Sequence, residues 1–157
     1  MSFNNLFDKN FPRELELLCT YIDDTFKFFK KHQYTVKWTT LGKDLSEYGF
    51  YMHNSDKTAD VFIGLWWDLW EDNGYPLCLS LNWEKSVFTT DVLQSRMKTF
   101  FANHQDKFGE FIIKETYPTL CFKLDYLNSL EDEKPLIDLI QQLMTDLGLS
   151  YGGYRKA

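Results

Sequence analysis

The sequence of 157 residues lacks any long apolar run, and this absence excludes several classes of protein. The longest apolar stretch, residues 61–67, is far shorter than the roughly 20 residues that a membrane-spanning helix needs. No apolar segment follows the first methionine, so we expect no secretory signal. The sequence therefore predicts a protein without membrane partners.

Cysteine is scarce as well. Cys19, Cys78 and Cys121 are far apart in the chain, and each lies in a segment with an apolar pattern. An odd number of separated cysteines is typical of reduced core thiols rather than of a disulfide framework. Because free thiols persist in reducing compartments, we predict a cytoplasmic location.

Sequence motifs that carry catalysis are absent. The chain has no Gly-x-Ser-x-Gly elbow, no phosphate-binding glycine loop and no His-Glu-x-x-His helix. Its three histidines, His32, His53 and His104, have no cysteine at metal-ligand spacing. We predict no catalytic residue, no metal and no cofactor, and we favour a function that is not enzymatic.

Positive charge is not in excess, because 23 Asp and Glu residues outnumber 17 Lys and Arg residues. The net charge of −6 disfavours direct nucleic-acid binding, which usually needs a basic face. Mimicry of DNA would need acidic residues clustered on one face. The sequence offers only residues 131–133 toward such a cluster.

Aromatic residues are what the sequence has in excess, and four of the five tryptophans lie in residues 60–83. Asn73-Gly74 favours a two-residue type I′ turn, because both central positions of that turn need positive φ. We therefore predict a central β-hairpin with largely apolar faces, which favours cover on both sides by helices or a partner. Its predicted cross-strand pairs are Trp70 with Leu77, Asp68 with Leu79, Trp66 with Leu81 and Gly64 with Trp83.

Around this hairpin, the hydrophobic periodicity predicts one α+β domain over residues 1–157. Three helices are predicted at residues 12–32, 91–103 and 135–147, and further strands at 34–41, 48–53, 110–116 and 119–127. The last two strands are predicted to meet around Tyr117-Pro118. The element order is αββββαββα, which favours a mostly antiparallel sheet of about six strands packed with three helices. Residues 149–157 are predicted to form a flexible tail.

Asp68 is the polar exception in the aromatic hairpin. A carboxylate among tryptophans and leucines is costly to bury unpaired, so we expect it to be hydrogen-bonded, shifted in pKa, or exposed at the rim of an aromatic pocket. A structural role and a ligand-binding role both stay open for it. The candidate partner- or ligand-binding residues are Trp66, Trp67, Asp68, Trp70, Glu71 and Tyr75.

The string Phe62-Ile-Gly-Leu-Trp-Trp-Asp-Leu-Trp-Glu71, followed by Gly74-Tyr-Pro-Leu-Cys78, resembles a segment of uncharacterised bacterial accessory domains. Those domains occur in or beside PD-(D/E)XK nucleases and phage-defence proteins. The nuclease motif itself is missing here: the chain has no Pro-Asp dipeptide, and Asp132-x-Lys134 lies in a polar stretch before a predicted helix. The resemblance implies an accessory or recognition role in bacterial conflict, with no catalytic residue carried over.

Two hypotheses for the function follow. The first is an interaction module, such as an immunity, defence-accessory or anti-defence protein, that binds a protein partner through aromatic surface. The second is a small-ligand-binding domain or an unrecognised enzyme that uses an aromatic pocket around Asp68. Homodimerisation through an uncovered sheet face is compatible with both. A core role for the tryptophans stays open as the alternative to an interface.

Overall fold

A computed structural model describes residues 11–39 and 46–149 of the chain. Its helices are α1 (Phe11–Lys31), α2 (Trp67–Asn73), α3 (Thr90–Asn103), α4 (Leu124–Asn128) and α5 (Lys134–Leu147). Its strands are β1 (Val36–Trp38), β2 (Glu47–His53), β3 (Ala59–Trp66), β4 (Cys78–Trp83), β5 (Phe108–Lys114) and β6 (Tyr117–Phe122). The predicted α+β class is confirmed. Residues 150–157 of the predicted tail lie outside the described residues, whereas Leu149 is partly buried against the core.

The six strands form one antiparallel sheet in the order β1-β2-β3-β4-β6-β5. The predicted meander of the first four strands and the predicted pair of the last two strands are both present. The connection through α3 brings the β5–β6 pair back to the meander, with β6 beside β4. This long-range pairing joins all six strands into one sheet with two faces.

One face of the sheet carries the main hydrophobic core, under α1, α3 and α5. Strand alternation points Val61, Ile63 and Leu65 of β3 toward these helices. The apolar stripes predicted for the first and last helices meet them there, through Leu18, Ile22, Phe29, Leu136, Ile140, Leu143 and Leu147. The predicted amphipathic helices therefore cover a single face of the sheet.

The predicted turn at Asn73-Gly74 is wrong, and so are the four predicted cross-strand pairs. Residues 67–73 form helix α2, and β3 pairs with β4 in a register that places Gly64 opposite Cys78. Gly74 does adopt a positive φ, of 83°, but it uses that conformation to end α2. A type I′ turn and a helix C-terminus both need a left-handed residue, so Asn-Gly alone did not distinguish them.

Two further boundaries differ from the prediction. The strand expected over residues 119–127 ends at Phe122, and the chain then turns into α4. The β5–β6 turn lies at Glu115 and Thr116, which have φ values of 51° and 83°, rather than around Tyr117-Pro118. Positive φ is uncommon outside glycine, so neither residue type marks this turn in the sequence.

Candidate functional site

The other face of the sheet, here called the open face, carries a smaller apolar cluster. The cluster consists of Phe62, Trp66, Leu69, Cys78 and Cys121. Among the described residues, none of α1, α3, α4 or α5 contributes to this cluster, whereas α2 contributes Leu69 at one end. The sequence predicted that helices or a partner cover both faces of the central strands. The described helices cover one face of the sheet fully and the other face only at one end. The open face is therefore the surface on which to look for a binding site.

A cavity of about 300 Å³ lies on the open face. We call it the open-face cavity, and it is lined by Ser46, Glu47, Tyr51, Asp60, Phe62, Trp66, Asp68, Ser80, Asn82, Glu115 and Tyr117. The sheet register brings these residues together, because Tyr51 of β2 faces Phe62 of β3, which faces Ser80 of β4. Residues two positions apart on a strand share a face, so Asp60 and Asn82 extend the same surface.

Aromatic rings form the walls of the open-face cavity. The Tyr51 and Phe62 ring centroids are 5.2 Å apart, and those of Trp66 and Tyr117 are 6.3 Å apart. Such rings offer apolar contact area together with negatively polarised faces, to which cations are attracted. The walls therefore suit a ligand group that is both apolar and positively charged.

Carboxylates surround these rings. Glu47, Asp60, Asp68 and Glu115 line the open-face cavity, and none of the described residues that line it is Lys or Arg. A cleft lined by charges of one sign concentrates their electric field and attracts ions of the opposite sign. The lining residues thus favour positive charge, and the ammonium group of Lys114 interacts electrostatically with Asp68 and Glu115.

One carboxylate is held in place by a wall residue. The Tyr51 hydroxyl donates a hydrogen bond of 2.6 Å to the Oε2 atom of Glu47. Burial raises the pKa of Tyr51, and this hydrogen bond raises it further. The phenol therefore stays protonated at neutral pH and keeps the carboxylate of Glu47 oriented at the cavity.

Asp60 occupies an unfavourable place for a charge. Its Oδ2 atom lies 4.0 Å from the Nδ1 atom of His53, and its side chain is largely buried. Burial raises the pKa of Asp60, although the imidazole of His53 opposes that rise. Because the folded carboxyl holds its proton more tightly than the unfolded one, this group stabilises the fold at low pH. That stabilisation is lost as the pH rises through the folded pKa, so the carboxylate costs stability at pH 7.

Replacing Asp60 with asparagine is expected to increase the free energy of unfolding at pH 7. The gain should shrink as the pH falls through the raised pKa of the folded carboxyl and vanish below pH 3.8, the ordinary Asp pKa, because Asp60 is then protonated in both states. Urea unfolding of both proteins across this pH range measures the difference. A variant that is less stable than the wild type at pH 7 would show that neighbouring groups stabilise the charged carboxylate. That result would contradict the stability cost assigned to Asp60.

The structure separates the six residues that the sequence nominated for binding. Trp66 and Asp68 line the open-face cavity, with Asp68 exposed at its rim, which was one of its three expected settings. Trp67 is 49% exposed, whereas Trp70 is 6% exposed and belongs to the main core. Glu71 is exposed on α2, and Tyr75 packs half-buried against the open-face cluster.

The sequence analysis missed the other cavity residues. Glu47, Tyr51, Asp60, Glu115 and Tyr117 come from three strands and one turn that are distant in the chain. A correct register between β3 and β4 would have placed Asp60 opposite Asn82, but the misplaced hairpin hid that alignment. Neither spacing nor composition marks a site of this kind.

Comparisons with protein families, with curated proteins and with solved structures found no match to this chain. Within residues 11–39 and 46–149, no three His, Cys, Asp or Glu side chains are placed to hold a metal ion. No helix in the same ranges combines the length and apolar content that a membrane crossing requires. The cavity itself is therefore the basis for assigning a function.

Proposed function

We propose that this chain is a non-enzymatic binding module that accepts a positively charged segment of a partner protein in the open-face cavity. The observation that carries the proposal is the combination of aromatic walls with four carboxylates and no lining Lys or Arg among the described residues. Arg and Lys side chains have an apolar stem and a cationic head, so they complement both features.

The polar groups on the cavity floor favour binding over catalysis. The Ser80 hydroxyl is hydrogen-bonded to the Thr119 hydroxyl at 2.9 Å, and the Thr119 hydroxyl donates to the Tyr117 carbonyl at 3.0 Å. A nucleophilic serine instead needs a base within hydrogen-bond reach. The nearest partner of Ser80 is thus another hydroxyl, which cannot activate it.

The setting that we propose is the bacterial cytoplasm, in an immunity, defence-accessory or anti-defence protein. The resemblance of residues 62–78 to accessory domains of defence systems supports this setting, and the absence of catalytic motifs supports the accessory role. A second copy of the chain would be an alternative partner, provided that it places a basic side chain in the cavity.

A small cationic ligand is the second candidate occupant. The cavity volume of about 300 Å³ is at the lower end of the range typical of small-molecule pockets. A polyamine would meet the same carboxylates and rings as a lysine side chain. Stabilisation of the wild type by spermidine in a thermal-shift assay, together with no protein partner, would favour this candidate.

Neutralising two exposed cavity carboxylates is expected to weaken partner capture about tenfold while the fold stays intact. The test variant is Asp68→Asn/Glu115→Gln, because both side chains are exposed and their neutral replacements keep the shape. The matched control is Glu16→Gln/Asp138→Asn, which removes the same charge from exposed positions on α1 and α5. All three proteins are used as bait in source-cell lysate, and bound proteins are quantified by mass spectrometry.

A partner that is depleted with the cavity variant but retained with the control supports the proposal. Equal capture by both variants would contradict it, because the cavity charges would then play no part in recognition. Circular dichroism of each bait confirms that lost capture does not result from unfolding.

A further inference from the structure

Cys78 and Cys121 are 43 positions apart in the sequence, from 78 to 121, yet the fold places them directly opposite each other. Cys78 lies on β4 and Cys121 on β6, where they are register partners. Both are fully buried in the open-face cluster, and both are free thiols. The sequence analysis treated them as separate core thiols because the pairing of β4 with β6 is long-range.

The hydrogen bonds between β4 and β6 show which kind of pair the two cysteines form. The Phe122 N–H donates to the Leu77 carbonyl at 3.1 Å, so the pair next to the cysteines is a hydrogen-bonded one. Hydrogen-bonded and non-hydrogen-bonded pairs alternate along an antiparallel ladder. Cys78 and Cys121 are therefore a non-hydrogen-bonded pair, in which the Cα atoms are about 4.5 Å apart and the side chains are closest.

The next pair of the same kind supports this reading. Ser80 and Thr119 are also register partners, two residues farther along the same strands and on the same face. Their side-chain oxygens are 2.9 Å apart, which shows that side chains at these positions touch across the strands. Cys78 and Cys121 occupy the equivalent positions two residues away on the same strands.

A disulfide requires Cα atoms roughly 4.4–6.8 Å apart and Cβ vectors that converge. A non-hydrogen-bonded antiparallel pair meets the first requirement, and its side chains project to the same face. We propose that Cys78 and Cys121 are a covalent modification site that a small-molecule disulfide converts into a cross-strand disulfide. This inference is independent of the proposed binding function.

The chemistry proceeds by two thiol–disulfide exchanges. The thiolate of Cys121 attacks one sulfur of the small disulfide, which forms a mixed disulfide and releases one thiolate. The thiolate of Cys78 then attacks the Cys121 sulfur, forms the protein disulfide and releases the second thiolate. The two cysteine protons end on the two released thiols, so the protein loses two electrons and the small disulfide gains them.

Burial controls the rate and the order of these steps. Burial raises the pKa of Cys121 to about 12 and that of Cys78 well above its ordinary value. Few thiolates are therefore present in the closed sheet, and the reaction depends on local opening. Opening of the β5–β6 pair at the sheet edge exposes Cys121 first, since β6 lies between β4 and the edge strand.

The test oxidises the intact, folded chain with oxidised glutathione, blocks the remaining thiols by alkylation and maps the cysteine peptides by mass spectrometry. We expect a peptide that links Cys78 to Cys121, with Cys19 alkylated. We also expect the melting temperature to rise by about 5–10 °C, because the link constrains the unfolded chain, and to fall back after reduction.

Two variants sharpen the test. Cys19→Ser should form the link as the wild type does, whereas Cys78→Ser should form none. A link that includes Cys19 would overturn the proposal, as would the absence of any link when the same cysteines react freely in the unfolded chain. A melting temperature that does not rise with the link would show that the strands must distort to form it, which also contradicts the proposed geometry.

Discussion

Replacing Gly64 with alanine is expected to lower the free energy of unfolding by about 3 kcal/mol or more, a large part of the stability of an ordinary domain. Gly64 of β3 faces Gly49 of β2. A Cβ atom on Gly64 would clash with the Tyr48 carbonyl oxygen and lie 2.7 Å from the Cα atom of Gly49. The φ of 155° at Gly64 adds strain for any residue with a side chain.

The clash at Gly64 involves backbone atoms, so no change of rotamer relieves it. A suitable comparison is Gly109→Ala, whose Cβ would approach only side-chain atoms, the nearest being Tyr75 Cε1 at 3.0 Å. Urea unfolding of both variants measures the difference, and we expect Gly109→Ala to lose much less stability. If Gly64→Ala were as stable as the wild type, β2 and β3 could not pair as described.

The second large effect concerns two neighbouring tryptophans on α2. Trp70→Ala is expected to cost about 3–5 kcal/mol, because Trp70 is buried in the main core. Trp67→Ala is expected to cost less than about 1 kcal/mol, because half of Trp67 is exposed. The sequence alone assigned both residues to a possible binding surface, and their burial now gives them different roles.

The backbone of Trp67 lies beside a residue of the open-face cavity, whereas its ring packs against that of Trp70, with 5.5 Å between the ring centroids. The Trp67 backbone N–H donates to the backbone carbonyl of Ser46, a lining residue, and the next residue in the chain is Asp68 at the cavity rim. We therefore expect the unfolding curve of Trp67→Ala to stay close to that of the wild type. The opposite pattern, in which Trp67→Ala unfolds and Trp70→Ala does not, would contradict the packing of α2.

Local patterns predicted most of the fold. The stripe of Leu18, Ile22 and Phe29 predicted the core face of α1, and the succession of strands with short connections predicted that β2 and β3 pair antiparallel. These signals are local, because the spacing of apolar residues along a segment follows the period of the helix or strand that it forms. The predicted class and the antiparallel sheet follow directly from them.

The candidate site was much less accessible to sequence reasoning. Asp68 and Trp66 were nominated because a carboxylate stood out among aromatics, and both line the cavity. Glu47, Asp60 and Glu115 were missed because they join the site only through strand register and the β5–β6 turn. The pairing of the cysteines depends in the same way on the return of β6 to β4.

Selection from a random peptide display library tests recognition by the open-face cavity most directly. The wild-type chain, Asp68→Asn/Glu115→Gln and Glu16→Gln/Asp138→Asn serve as separate targets. We expect the wild type and the control to enrich peptides with Arg or Lys beside apolar residues, and the cavity variant to lose that enrichment. Enrichment of acidic or uncharged peptides, or the same basic peptides on the cavity variant, would contradict the proposed function.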